Sequence, residues 1–384
     1  MTKTILFINA NNSEVGGADI SLLKMAVAVK ESGFDPIVVL RTPNPLTQQF
    51  QIAGVELILL PLLRIRASAS LLRKSGYIFR LMHTVYILLM LIRRVKPDLV
   101  HTNDYIDGAG NLAAWIAQIP SVQHVRLIGE KPIWLLYTLR FLSSFSDVLI
   151  CVSEAVRIKM VMWNQVSTVL YDWADMVSAG QSKGNRSLFE ELSLSPQTRL
   201  IACIGRLEHW KGQHLFLKAA NNIADRYPNV HFLIVGGTTT NKESYLEELE
   251  AIHETLENKN RITFLGYRED IANILRQIEI MVHTSIRPEP FGLVVMEALS
   301  QKALVVAADA GGIGEQIEHG VTGFLYGLGN QHGLESALEE ALNTAAGADI
   351  KANGVKFVNE HFNKQVQVSK LIQIYENRWN TSSQ

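Results

Sequence analysis

Three short stretches of this 384-residue chain carry side chains suited to gripping an anionic, hydroxyl-rich ligand. Gly205–Gly212, GRLEHWKG, follows the apolar run IACI and sets Arg206 five residues before Lys211. Arginine offers a planar fork and lysine a compact charge, a pair that suits a diphosphate. Arg287–Glu297, RPEPFGLVVME, holds two carboxylates eight residues apart. Pro288 and Pro290 forbid helix around Glu289, so that carboxylate is expected to project from a loop. Phe291 and Gly292 then open a helix running to Ser300, with Glu297 near its second turn. The N–H groups of Phe291, Gly292 and Leu293 are expected to be free to meet an anion. Asn9–Ala18, NANNSEVGGA, places Gly16 and Gly17 just before a helix. There the backbone can approach a ligand, and the first amides attract negative charge. The G-x-G-x-x-G spacing of a dinucleotide site is absent.

These loops need elements to hold them. Apolar runs of strand length, Ile5–Asn9, Pro36–Arg41, Leu57–Pro61, Leu99–His101 and Ser121–Val125, alternate with helical stretches such as Ser21–Ser32 and Gly108–Ala117. Near-continuous Ile, Leu and Val is the pattern of parallel strands covered on both faces. A second set follows: strands Arg199–Ile204, His231–Val235, Ile262–Leu265, Ile280–His283 and Leu304–Ala307, with helices Gln213–Arg226 and Ser244–Asn258. The class is α/β, with two doubly wound, Rossmann-like domains. Residues 1–172 form the first and 197–362 the second. The polar stretch 173–196 is the linker. A terminal helix, about 363–384, is expected to pack back on the first domain. Ligands of open α/β sheets lie beyond the carboxyl ends of strands, which is where the three stretches fall.

Charge is divided unevenly. Residues 1–170 hold 17 Lys and Arg against 11 Asp and Glu, and the remainder 19 against 26. The basic half suits an anionic partner. Leu57–Pro97 contains no acidic residue but has Arg64, Arg66, Arg73, Lys74, Arg80, Arg93, Arg94 and Lys96. Its run YIFRLMHTVYILLMLI is too short and too interrupted to span a bilayer, which needs about 20 apolar residues. It reads either as a core helix or as a surface resting on anionic lipid, and Lys131–Phe141 has the same character. Nucleic-acid binding is not expected, since no reading motif accompanies the basic stretch. Cys151 and Cys203 lie in apolar runs and read as buried thiols, with no disulfide or zinc spacing. The N-terminus lacks an export signal, which points to the cytoplasm.

Three of these segments resemble glycosyltransferase family 4. RPEPFGLVVME resembles its E-x7-E motif, and GRLEHWKG its G-R-L-x-x-x-K-G. Ala310–Tyr326, AGGIGEQIEHGVTGFLY, is similar to its downstream G-G-x-x-E…G-x-x-G-x-L stretch, and the three occur in the family's order. The resemblance implies a GT-B fold, a first domain (1–172) that binds the acceptor facing, across a cleft, a second (197–362) that binds the nucleotide sugar. It also implies retaining transfer from a nucleotide-diphosphate sugar, of the UDP or GDP type, to a saccharide or lipid-linked acceptor. Arg206 and Lys211 would hold the diphosphate, Glu289 the sugar hydroxyls, and Glu297 the ribose. Gly266, Tyr267 and Arg268 would lie near the base, with Gly16 and Gly17 approaching from the other domain. His124 matches the family's histidine that reaches the transferred sugar, and is preferred over the similarly placed His101. In such enzymes the donor's own phosphate oxygen takes the acceptor proton, so no protein nucleophile is required. No D-x-D motif is present, and neither a metal nor a cofactor is expected. One departure is YDWADM after the strand Ser167–Tyr171, where the family has an Asn- or Pro-containing turn. Bacterial-type polysaccharide or lipopolysaccharide synthesis is the setting implied, with peripheral placement at the inner membrane face. The alternatives are a GT-B epimerase or phosphorylase-like enzyme, or a silent nucleotide-sugar-binding subunit.

Overall fold

The computed structural model describes residues 2–11, 14–64, 76–129, 132–162, 165–174, 187–238 and 243–382. The chain divides into two compact units, Met1–Asp172 with Gln365–Gln384, and Trp173–Lys364. The first is built on seven parallel strands: β1 (Thr4–Asn9), β2 (Asp35–Leu40), β3 (Glu56–Leu59), β4 (Leu99–Thr102), β5 (Ser121–Val125), β6 (Val148–Cys151) and β7 (Ser167–Val169). Their order is β3-β2-β1-β4-β5-β6-β7. The second has six: β8 (Arg199–Ile204), β9 (Val230–Val235), β10 (Ile262–Gly266), β11 (Ile280–His283), β12 (Leu304–Asp309) and β13 (Phe324–Gly327), ordered β10-β9-β8-β11-β12-β13. In each sheet the chain runs outward on one side and then returns to the middle. That leaves an open crevice at β1/β4 and another at β8/β11.

Burial explains why these runs are strands. β4, β5, β6, β9 and β11 are buried at every residue, which only a sheet covered on both faces permits. In the first unit one face of the sheet packs Leu6, Ile8, Ile37, Val39 and Val100 against Val85, Leu88 and Ile92 of the Tyr77–Val95 helix and Ala113 of the Ala109–Ala117 helix. In the second, Ile201, Phe232, Val282 and Val306 meet Phe216, Ile223, Leu338 and Ala341.

The terminal helix, Lys364–Ser382, belongs to the first unit over most of its length. Tyr375 is fully buried, and its hydroxyl lies 2.6 Å from His101 Nδ1. Trp379 Nε1 donates to the Asp98 carbonyl at 3.0 Å, and the Lys3 ammonium sits 3.7 Å above its ring. Part of the polar stretch 173–196 is structured. Leu188–Glu191 is a short helix capped by Ser187, with Leu188 buried, while residues 175–186 lie outside the described residues. Arg66, Arg73, Lys74 and Lys131 also lie outside them. Tyr375→Phe would leave the buried His101 nitrogen without its partner. We expect a loss of about 1–3 kcal/mol, measured as a lowered urea midpoint with an unchanged slope.

Candidate active site

In the second unit the sequence-predicted residues gather at the carboxyl ends of β8 and β11. β8 leads into Gly205 and Arg206, and a single turn, His209–Lys211, returns the chain to a helix at Gln213. Gly212 joins the two in a left-handed conformation, φ 72°. A Cβ there would fall 2.0 Å from the Thr284 carbonyl oxygen, so only glycine lets this turn lie on the end of β11. Thr284 Oγ1 donates to the Lys211 carbonyl at 2.9 Å, fastening the two loops.

This junction delivers Lys211 to Glu289. The Lys211 ammonium and Glu289 Oε1 form an ion pair, with the two side chains 18% and 7% exposed. Ser285 Oγ donates to the same oxygen at 3.0 Å, and His283 Nε2 lies 3.3 Å away. Ser285 Oγ and His283 Nε2 are 3.1 Å apart. The tautomer with hydrogen on Nε2 serves both contacts and leaves Nδ1 as a buried acceptor without a partner. Burial alone would push the Glu289 carboxyl up. The Lys211 charge, the His283 hydrogen bond and the Lys211 hydrogen bond outweigh it and hold the group well below the usual carboxylate range. Glu289 therefore does not project freely from its loop. It is buried, its backbone bridges to Gly311, and its carbonyl accepts from Gly312 N–H at 2.8 Å.

Arg206 is different. Its side chain is 43% exposed and sits 3.5 Å from Glu208 Oε2, which also accepts from Trp210 Nε1 at 2.7 Å. Gln213 Nε2 holds the Arg206 carbonyl at 2.9 Å, so the backbone is fixed while the guanidinium reaches outward. The Lys211 ammonium lies 4.3 Å from the Trp210 ring centre, a cation–π contact that further steers it.

The helix after Glu289 starts two residues later than the sequence suggests, spanning Leu293–Ser300. Gly292 is its left-handed cap, φ 91°, where a Cβ would strike Ile313 Cδ1 at 2.4 Å. Phe291 is buried and its carbonyl accepts from Gln316 Nε2. Leu293 and Glu297 are both half-buried, Glu297 one turn into the helix. Gly266 ends β10, with Tyr267 75% exposed. The backbone beside it is tightly built, since Gly236 N–H donates to the Gly266 carbonyl at 2.9 Å. Arg268 is already engaged, donating to Glu191 Oε1 and Asp270 Oδ1 at 2.7 Å each.

In the first unit the predicted residues are placed otherwise. Gly16 caps the Gly17–Glu31 helix in an extended conformation, and its N–H donates to Asp19 Oδ2 at 2.9 Å. A Cβ on Gly16 would lie 3.6 Å from Asp19 Oδ2, an ordinary contact, and the helix start already carries that acidic side chain. His124 lies within β5, 1% exposed, its Nδ1 3.3 Å from His101 Nε2. Burial, then the nearby Arg126 and His101, lower its pKa well below the ordinary histidine value, so the ring is neutral. His101 is lowered to about 3 by burial and Arg126. Tyr375, His101 and His124 form one line of contacts, and His124 Nε2 at its end is buried without a partner.

Sequence reasoning missed His283, Ser285 and Glu208. The signal available was modest: His283 ends β11 and Ser285 lies in the loop after it, six and four residues before Glu289.

Two protein-family models match, one to each unit. "Glycosyltransferase Family 4" covers residues 15–168 and "Glycosyl transferases group 1" covers 185–356. The chain belongs to the family 4-type glycosyltransferases. Over 185 residues this family 4 chain is 29% identical to a lipopolysaccharide core biosynthesis mannosyltransferase of Rhizobium leguminosarum, covering 47% of this chain and 51% of that protein. Over 173 residues it is 30% identical to a D-inositol 3-phosphate glycosyltransferase of Corynebacterium glutamicum, covering 44% and 41%. The matched segments thus span about half or less of those relatives. Among solved structures, Anabaena HepE in complex with UDP and glucose matches with TM-score 0.82 at 23% identity, over 98% of this chain and all of that one. Sucrose-phosphate synthase of Thermosynechococcus elongatus matches at TM-score 0.78 and 18% identity, over 99% of this chain and 100% of that one. The two parallel-sheet units have the GT-B fold.

Replacing Lys211 with Met strands a buried carboxylate, and we expect a loss of about 3–5 kcal/mol. The Glu289 carboxyl is depressed from about 4.5 in the free group. Its contribution is therefore full above that value and is lost as pH falls below it. Glu289→Gln should lose less stability than wild type on going from pH 5 to pH 2.5, measured by urea unfolding at each pH.

Proposed function

We propose that this family 4 chain moves a sugar from a nucleotide diphosphate to an acceptor hydroxyl, with retention and without a metal. The observation that carries the proposal is the buried Lys211–Glu289 pair beside the outward-reaching Arg206. It is a cation already aimed at an anion and a carboxylate already kept charged. HepE's complex with UDP and glucose supports a UDP-type donor.

The residues divide the task by their chemistry. Arg206 and Lys211 hold the diphosphate and neutralise its charge as the glycosidic bond breaks, the role a divalent ion has in other sugar transferases. The amides at the Leu293 helix start, capped by Gly292 after Phe291, add a favourable dipole. Glu289 accepts hydrogen bonds from sugar hydroxyls and favours the developing positive charge on the ring. Glu297 binds the ribose, with Gly266, Tyr267 and Arg268 beside the base. His124, a neutral ring, donates to the transferred sugar. The donor's phosphate oxygen takes the acceptor proton.

The acceptor is lipid-linked, and the enzyme works on an anionic membrane face in polysaccharide or lipopolysaccharide assembly. Helices Tyr77–Val95, Ala109–Ala117 and Ile133–Ser143 contain no Asp or Glu, and neighbouring ones pack on each other. They expose Phe79 (81%), Tyr86, Trp115, Tyr137 and Phe141 beside Arg80, Arg93 and Arg94. Aromatic side chains with flanking cations suit a headgroup interface. No helix among the described residues is long and apolar enough to cross a membrane.

Calorimetric titration of UDP, GDP and ADP in EDTA tests the donor site. One diphosphate should bind without metal and weaken about 100-fold or more in Lys211→Ala, the loss of a charge-assisted contact. No binding of any of the three by folded protein would overturn the reading. Sedimentation with phosphatidylserine vesicles tests the surface. Wild type should pellet with the vesicles and Phe79→Glu/Tyr137→Glu should stay in solution, whereas equal partitioning would remove the membrane from the account.

A further inference from the structure

Three buried side chains of the first unit stand in line: Tyr375 of the terminal helix, His101 of β4 and His124 of β5. The Tyr375 hydroxyl lies 2.6 Å from His101 Nδ1, and His101 Nε2 lies 3.3 Å from His124 Nδ1. Tyr375 and His101 are 0% exposed and His124 is 1% exposed. Phe7 covers His101, their ring centres 4.9 Å apart. Burial and the Arg126 charge keep both imidazoles neutral. Each ring therefore has one N–H and one bare nitrogen. With both contacts made, the hydrogens can run in only two directions. Either each group donates toward His124, or each donates toward Tyr375.

The Tyr375 end decides between them. Among the described residues its hydroxyl has no hydrogen-bond partner other than His101 Nδ1. If it accepted there, its own hydrogen would be sealed in the core with nothing to meet it, which buried donors rarely tolerate. The spare lone pairs left when it donates are a smaller loss. The spacing agrees, since 2.6 Å suits a hydroxyl donor and is shorter than an N–H donor ordinarily gives. With Tyr375 donating, His101 Nδ1 is bare and the His101 hydrogen is on Nε2. That N–H donates to His124 Nδ1, which is then bare in turn. The His124 hydrogen is left on Nε2, the atom that has no partner among the described residues. The one donor left over thus falls at the His124 end of the line.

We propose that Tyr375 is a positioning residue: acting through His101, it fixes His124 as the tautomer with hydrogen on Nε2, a hydrogen-bond donor. That this donor serves the transferred sugar rests on the glycosyl-transfer reading. The relay itself rests on the two contacts and the sealed hydroxyl. The terminal helix then contributes chemistry as well as packing. A phenylalanine at 375 would fill the same space and leave the tautomers unset.

The test is nitrogen-15 NMR of the histidine rings in the full chain, where long-range correlations separate a bare nitrogen from one that carries hydrogen. His101→Gln and His124→Gln assign the peaks. In wild type both rings should carry hydrogen on Nε2 alone, and in Tyr375→Phe both should become mixtures of tautomers. Loss of packing alone would lower thermal stability without moving the tautomers. UDP-glucose and UDP are titrated calorimetrically in parallel. Tyr375→Phe should weaken UDP-glucose about tenfold, one hydrogen bond's worth, with UDP unchanged. Hydrogen on His124 Nδ1 in wild type would overturn the proposal, and that result needs no variant to fold. A single Nε2–H tautomer persisting in folded Tyr375→Phe would overturn it as well. Unchanged UDP-glucose affinity in a variant whose tautomers have moved would instead remove the sugar from His124 and leave the relay standing.

Discussion

A charged carboxylate in a buried place is what the second unit is arranged around. Glu289 is 6% exposed yet held well below the usual carboxylate range. Removing it from water is unfavourable, and only close partners offset that cost. Lys211, His283 and Ser285 are those partners, and each arrives from a different point of the chain. The Gly212 turn brings Lys211 against β11, the end of β11 brings His283, and the following loop brings Ser285. The Gly311 backbone holds the carboxylate's own main chain. If any one element moved, the carboxylate would lose a partner and the site its charge.

That arrangement has a functional consequence. Lys211 is the only member of the group on the same loop as the exposed Arg206, and it has a second contact, the Trp210 ring. In the proposed transfer, a diphosphate arriving beside Arg206 would compete with Glu289 for the ammonium. Lys211 would shift toward it while His283 and Ser285 keep the carboxylate hydrogen-bonded. The fixed part of the site would thus preserve its charge while the movable part meets the substrate. A preorganised charge of this kind needs no rearrangement when new charge develops.

Much of the fold was legible because burial on both faces writes itself into composition. The Arg199–Ile204 and Ile280–His283 strands were read with these bounds, since near-continuous apolar residues between polar breaks admit little else. The short outer strand Phe324–Gly327 was not read. It has only four residues and lies inside a motif whose glycines attract attention first. Within the site, the spacing of Arg206, Lys211, Glu289 and Glu297 was legible because these types follow strand ends or prolines. That Glu289 is buried was not legible. A proline-flanked glutamate suggests an exposed loop, and the charge that chiefly reverses this, Lys211 at 78 residues' distance, is brought to it only by the sheet. The pairing of Arg268 with Glu191 was illegible in the same way, since it depends on a contact 77 residues away. His124 reads as a strand-end ligand, and the structure buries it within β5 with Nδ1 against His101 and Nε2 unpartnered, a contact between two strands that spacing along the chain does not reveal.

The central claim is that Lys211 leaves Glu289 for the donor diphosphate. Nitrogen-15 NMR of lysine-labelled protein, with Lys211 assigned through Lys211→Arg, measures this directly. On saturation with UDP the Lys211 ammonium resonance should shift and its exchange with water slow, while a protein lacking Arg206 shows a smaller change at matched occupancy. An unchanged Lys211 resonance in protein fully occupied by UDP would mean that the ion pair is structural and that the diphosphate is held elsewhere.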